Sequence, residues 1–94
     1  MEIRIRTKAI KELFKVYLQT ATNEVIHYNY LDFEYWKNVQ TASIEIAEQI
    51  DSKKQILQIT NKFQAMLVLN ILDTLEEHNV NDLLEYRNSV KLMC

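Results

Sequence analysis

The chain opens with a short alternation of apolar and charged residues and then changes to a helical period. Ile3-Arg4-Ile5-Arg6 alternates with a period of two, which predicts a short strand, and Thr7 follows it as a candidate N-cap. Apolar residues then recur at three- and four-residue intervals, which predicts an amphipathic first helix. The apolar positions of this helix are Ile10, Leu13, Phe14, Tyr17, Leu18 and Ala21.

The same period continues after Thr22-Asn23, where we predict that the first helix ends. A second helix is predicted over residues 24–50, because apolar and aromatic residues again recur mostly three and four positions apart. The stretch from Val25 to Phe33 is also rich in β-branched and aromatic residues, so a strand is an open alternative there. Asp32 is itself a candidate N-cap, and a helix is expected from that residue onward.

The third predicted helix has a centre that is apolar on every side. We expect Asp51-Ser52 to cap it, and between Phe63 and Leu75 apolar side chains point in all directions around the helix axis. A helix that is apolar all round is buried all round. Residues 78–81 contain two asparagines and mark the next break. A last helix is predicted from residue 82 to the end of the chain.

The composition strengthens the helical interpretation, since the 94 residues include no glycine and no proline. Glycine-rich phosphate loops, dinucleotide-binding turns and nucleophile elbows all need glycine, and tight hairpins favour it. The predicted fold is therefore all-α: a single helical domain over residues 1–94, a small bundle of about four helices with a short N-terminal strand.

The apolar third helix also bears on the oligomeric state. A chain of this size buries only about 60–65% of its unfolded surface, so two or three short neighbours would have difficulty covering such a helix. We therefore expect a homodimer, with a monomer wrapped around that helix as the alternative. The predicted dimer interface consists of Met66, Leu69 and Leu72.

Charge and cysteine content suggest the surroundings in which the chain works. The formal net charge is −2, so no global field attracts nucleic acid or anionic lipid. Cys94 is the only cysteine, which leaves no internal disulfide, and the N-terminus lacks the apolar run of a signal peptide. We predict a cytoplasmic protein that has no membrane partner.

Residue patterns that support catalysis or metal binding are sparse. Glu24 and His27 have the Glu-x-x-His spacing of di-iron carboxylate bundles, but the chain contains no second pair of that kind. Neither His27 nor His78 has a cysteine at zinc-ligand spacing, and no serine lies in a nucleophile context. We therefore expect no enzymatic activity, no cofactor, no metal and no small-molecule substrate.

The most distinctive segment holds five aromatic residues within nine positions. Tyrosine and tryptophan are common anchors of protein interfaces, and the neighbouring Glu24, Asp32 and Glu34 favour a partner that carries basic groups. Core packing is expected for at least half of these rings, and the others are predicted to form a partner-binding surface. The five candidates are Tyr28, Tyr30, Phe33, Tyr35 and Trp36.

Two functions follow from these observations. The first is a non-enzymatic protein–protein interaction module, such as an inhibitor, an antitoxin-like protein or an adaptor, whose partner is a protein. The alternative is a small dimeric DNA-associated regulator that contacts phosphates through a basic face, although nucleic acid is not the expected partner and the last helix opens with Asp82 and Glu85. That basic face would comprise Arg4, Arg6, Lys8, Lys11 and Lys15.

Overall fold

The computed structural model describes residues 1–94 and confirms a small helical bundle with a short N-terminal strand. Four α-helices and two three-residue strands follow one another along the chain, and a 3₁₀ turn, Leu84–Tyr86, leads into the last helix. The elements are β1 (Glu2–Arg4), α1 (Lys8–His27), α2 (Phe33–Asp51), β2 (Ile56–Gln58), α3 (Lys62–Glu77) and α4 (Arg87–Met93).

The first helix begins where the sequence indicates but continues past its predicted end. The Thr7 hydroxyl accepts a hydrogen bond from the Ile10 N–H at 3.2 Å and so caps α1. The predicted break at Thr22-Asn23 is wrong, because Thr22 is buried in the helix and its hydroxyl donates to the Leu18 carbonyl at 2.7 Å. A hydroxyl satisfied in this way does not interrupt a helix.

The two predictions for residues 24–32, a helix that begins at residue 24 or a strand from Val25 onward, are both wrong. The stretch up to His27 belongs to α1, a turn follows, and α2 begins at Phe33 instead of residue 24. Asp32 is the N-cap, as its spacing indicated: its carboxylate accepts from the Tyr35 N–H at 3.2 Å. The apolar residues therefore keep a spacing of mostly three and four positions across both helices and the turn between them. This spacing does not reveal where α1 ends and α2 begins.

The predicted start of the third helix at Asp51-Ser52 is also wrong. Residues 56–58 form β2, which pairs antiparallel with β1 and places Ile3 opposite Leu57. Ser52 ends α2, since its hydroxyl donates to the Gln49 carbonyl at 2.7 Å. The N-cap of α3 is Asn61, which accepts from the Gln64 N–H at 2.9 Å. Alternate residues are buried across each strand and the residue that follows it, namely Ile3, Ile5, Leu57 and Ile59.

Helix α3 lies at the centre of the molecule, as its composition predicts. It packs against α1, α2 and α4, and every residue from Phe63 to Leu75 is buried or half-buried. The core is one cluster of 21 buried hydrophobic residues, so a single chain covers this helix. None of the four helices combines the length and the hydropathy that crossing a bilayer requires.

The C-terminal segment is less regular than the predicted helix from residue 82 onward. Asn79 adopts a φ of 61° after α3, and the chain then turns before the 3₁₀ segment and α4. The Leu84 N–H donates to the Asn81 carbonyl at 3.2 Å and the Tyr86 N–H to the Leu83 carbonyl at 3.0 Å. These i to i+3 bonds, with Leu83 buried in the core, replace the first turn of the predicted helix.

Candidate protein-docking surface

The connection between α1 and α2 presents a group of large side chains to solvent, which we call the aromatic tip. Each of its members is between 41% and 84% exposed. These side chains do not contribute to the closed core of the chain. Several exposed apolar side chains in one short segment are typical of an interaction site. The sequence pattern indicated all of these residues except Leu31, but the expectation that at least half of the five rings pack in the core is wrong, because four of them are exposed. The aromatic tip consists of Tyr28, Tyr30, Leu31, Phe33 and Trp36.

Local structure orients the rings of the aromatic tip. The Asp32 cap starts α2, so Phe33 and Trp36 lie one helical turn apart and stack with 5.8 Å between their ring centroids. His27, the last residue of α1, stacks on Tyr30 at 6.0 Å. Rings held in this way lose less side-chain entropy when a partner binds.

Tyr35, the fifth predicted aromatic residue, has a structural role instead of an exposed one. Its hydroxyl donates to the Val25 carbonyl at 3.0 Å, in the last turn of α1, where carbonyls have no partner within the helix. Its ring meets Phe63 edge to face at 5.9 Å between centroids. Burial, with a smaller contribution from Tyr28, raises the pKa of the Tyr35 hydroxyl. This residue ties the two sides of the α1–α2 connection together.

A shallow groove of about 210 Å³ opens beside the aromatic tip, between α1 and α3. It brings Tyr28 together with Met66 and Leu69, two of the three residues predicted at a dimer interface. The third, Leu72, is only 4% exposed and belongs to the core of the single chain. The remaining lining residues are Val25, Asn70, Asp73 and Cys94.

The surroundings of the aromatic tip are acidic. Asp32 and Glu34 are exposed beside the rings and form no ion pair. Glu24 lies beside Tyr28, accepts a hydrogen bond from the Asn70 side-chain amide at 2.8 Å and forms no ion pair. Asp73 is different, because the Arg87 guanidinium lies 2.6 Å from it and compensates its charge. A partner at this surface therefore meets three carboxylates that form no ion pair, with the exposed Lys37 as the neighbouring cation.

The five predicted phosphate-contacting residues are partly engaged within the chain. The Lys15 ammonium lies 2.9 Å from the Asp51 carboxylate, and this contact raises the pKa of Lys15. The Lys11 ammonium donates to the Ser52 carbonyl at 2.8 Å. Arg4 and Arg6 line a cleft that also contains Asp82 and Glu85, and Lys8 is exposed without an ion pair.

The residues considered for metal binding or nucleophilic chemistry are held in other contacts. His27 stacks on Tyr30 and Glu24 is bonded to Asn70, and no three His, Cys, Asp or Glu side chains lie close enough to hold a metal ion. Partial burial raises the pKa of the Cys94 thiol, whose residue is otherwise exposed at the surface.

No family model, curated protein or solved structure matches the chain. The chemistry of its exposed surfaces therefore guides the assignment of function, and five of its nine exposed large hydrophobic residues belong to the aromatic tip.

Proposed function

We propose that this protein is a non-enzymatic interaction module that docks on a protein partner through the aromatic tip. The observation that supports this role is the exposure of five large apolar side chains in one segment of a chain that has a closed 21-residue core. Interface anchors are commonly tyrosine and tryptophan, and contiguous apolar patches on soluble proteins commonly mark binding sites. An inhibitor, an antitoxin-like protein or an adaptor in the cytoplasm would act in this way.

The charges beside the aromatic tip favour a partner surface that combines apolar pockets with lysine or arginine. Glu24, Asp32 and Glu34 would lie close to such basic groups, which adds specificity and speeds association. A second copy of this chain, related by a two-fold axis at the tip, would instead place these carboxylates against their own equivalents. Anionic lipid would be repelled for the same reason.

The predicted homodimer through the third helix remains a separate proposal with a weaker premise. That prediction assumes that two or three short helices are too few to cover α3, yet within one chain every residue from Phe63 to Leu75 is buried or half-buried. Met66 and Leu69 line the groove beside Tyr28 and are open to a partner there. The alternative of a DNA-associated regulator also loses support, because Lys11 and Lys15 are engaged within the chain.

Co-purification from the source cells tests the docking role. Tagged wild-type protein is compared with the double variant Phe33→Ser/Trp36→Ser and with Ile44→Ser, a matched control whose side chain is 59% exposed farther along α2. We expect the same partner with the wild type and the control, and its loss with the double variant. Cross-linking should place basic residues of the partner next to Glu34.

Circular dichroism and thermal unfolding of each variant establish that the comparison concerns binding. The substituted side chains are exposed, so we expect the three proteins to share the same helical content. A partner that the double variant retains at the wild-type level would refute docking through the aromatic tip, as would a partner that cross-links only to the Arg4 and Lys8 side of the molecule.

A further inference from the structure

The outer edge of β2 carries backbone groups that no strand pairs. The Ile59 N–H donates to the Met1 carbonyl at 2.8 Å and the Ile5 N–H donates to Gln55 at 2.7 Å, so the odd-numbered residues of this segment face β1. In an antiparallel pair the residues between them direct their N–H and C=O groups outward. Those residues are Ile56 and Gln58.

The side chain of Gln49 occupies the position of a missing strand at Gln58. Its carboxamide oxygen accepts from the Gln58 N–H at 2.6 Å, and its amide nitrogen donates to the Gln58 carbonyl at 3.1 Å. A residue of a third strand would make the same two hydrogen bonds in a hydrogen-bonded antiparallel pair. Gln49 comes from α2, so this contact also joins that helix to the edge of the sheet.

Side chains cap the ends of this edge and leave its centre open. The Lys54 N–H donates to the Ser52 hydroxyl at 3.3 Å, and the Thr60 N–H donates to the Gln64 carboxamide at 2.7 Å. The Ile56 N–H and C=O have no such partner. The backbone of Ile56 is therefore unpaired on this edge. The backbone of Gln58 is paired only with the Gln49 side chain, which can rotate away.

A groove of about 610 Å³ runs between this edge and α2. One wall is formed by the outward residues of the strand segment, and the other contains Glu45 and Glu48. The Gln64 amide donates to Glu45 at 3.3 Å, whereas Glu48 is exposed and forms no ion pair. Lys54 is the only cation that lines the groove.

We propose that the edge of β2 binds an extended peptide segment that carries a lysine or arginine, as a third strand in this groove. The peptide backbone would form hydrogen bonds with Ile56 and Gln58. The Gln49 side chain would move away, and the peptide backbone would replace its two hydrogen bonds to Gln58. Main-chain hydrogen bonds supply affinity in strand addition, and the carboxylates of Glu45 and Glu48 supply the preference for a basic side chain. This site is separate from the aromatic tip.

Defined peptides test the proposal. The probe is acetyl-Val-Lys-Val-Lys-Val-amide, and its controls are the glutamate analogue and a version with methylated backbone nitrogens. We expect the lysine peptide to shift the ¹⁵N–¹H signals of Ile56 and Gln58 in the 94-residue chain and to slow exchange of their amide protons. The glutamate analogue should bind at least about tenfold more weakly, and the methylated peptide should not bind.

Variants of the groove sharpen the test. Gln49→Ala removes the competing carboxamide and should tighten peptide binding about fivefold. Glu48→Gln should weaken it, whereas the matched exposed control Glu77→Gln should not change it. Equal binding of the methylated peptide, or shifts confined to other residues, would overturn the proposal. The proposal would also be overturned if the Gln49→Ala protein self-associated and no variant bound the peptide.

The double variant of the aromatic tip, Phe33→Ser/Trp36→Ser, should bind the peptide as the wild type does. This result separates a failure of the β2 proposal from a failure of the proposed function.

Discussion

Asn79 performs a task that usually falls to glycine. It adopts a φ of 61° just beyond the C-terminus of α3. Two backbone hydrogen bonds end the helix there: the Asn79 N–H donates to the Glu76 carbonyl at 2.9 Å, and the Val80 N–H donates to the Leu75 carbonyl at 2.8 Å. These bonds form a Schellman motif, whose left-handed residue is most often glycine and sometimes asparagine. In a chain that has no glycine, the asparagine pair in residues 78–81 was the available indication of a helix end.

This geometry leads to a prediction for two substitutions at one position. Asn79→Ala should lower the free energy of unfolding by about 1 kcal/mol, because a Cβ without a compensating polar group is unfavourable at positive φ. Asn79→Gly should equal or exceed the stability of the wild type. Urea unfolding followed by circular dichroism measures both, and a less stable glycine variant would contradict the assigned backbone conformation.

Tyr35 stabilises the base of the aromatic tip through its hydroxyl. Tyr35→Phe keeps the ring on Phe63 but removes the hydrogen bond to the Val25 carbonyl, so we expect a loss of about 1 kcal/mol at neutral pH. Chemical denaturation measures this loss. A Tyr35→Phe variant as stable as the wild type would show that the hydrogen bond from the hydroxyl to the Val25 carbonyl does not stabilise the folded protein.

The same residue predicts a dependence on alkaline pH. Burial raises the pKa of Tyr35 above its ordinary value of 10.0 in the folded protein, so the unfolded chain loses this proton first. The stability contribution is therefore complete below pH 10.0 and is lost as the pH rises through the folded-state pKa. The difference in unfolding free energy between wild type and Tyr35→Phe should shrink over that range, and a constant difference would contradict the assignment.

At the scale of whole elements, the sequence predicted helices well where each has a clear cap or a complete apolar circumference. Thr7 and Asp32 are side-chain caps in the structure, and the third helix is covered along its apolar centre. The end of α1 was missed because Thr22 is satisfied by a bond to the preceding turn, which a residue pattern does not reveal.

The two strands illustrate what local patterns lack. Ile3 and Leu57 become partners across more than fifty residues, and each strand has only three residues. A pairing of that separation depends on where the helices bring the chain, so β2 was assigned to a helix. The aromatic tip was predictable because its rings are close together in the sequence, whereas the groove that Tyr28 shares with Met66 and Leu69 depends on the fold.

Helix α3 offers a comparison between two leucines three residues apart. Leu72 is buried in the chain, and Leu72→Ala should cost about 3 kcal/mol through lost burial and the cavity left behind. Leu69 is partly exposed in the groove, so Leu69→Ala should cost less than half as much. Thermal unfolding at several protein concentrations makes this comparison. Equal costs that depend on concentration would instead support the predicted homodimer.

At the scale of the whole molecule, charge and apolar area are unevenly distributed along α1. The exposed Arg4, Arg6 and Lys8 lie near its N-terminal end, and the aromatic tip with Glu24 and Glu34 lies near its C-terminal end. A twenty-residue helix is about 30 Å long, so the two regions are well separated in a molecule whose longest dimension is 37 Å. Binding at the aromatic tip would leave the basic end free.

Trp36 is the only tryptophan of the chain and belongs to the aromatic tip, which makes it a direct reporter of docking. The protein labelled with 5-fluorotryptophan should give one ¹⁹F resonance. We predict that this resonance shifts and becomes protected from solvent when the partner isolated by co-purification binds. A complex that forms while the resonance keeps its position and its solvent exposure would contradict docking through the aromatic tip.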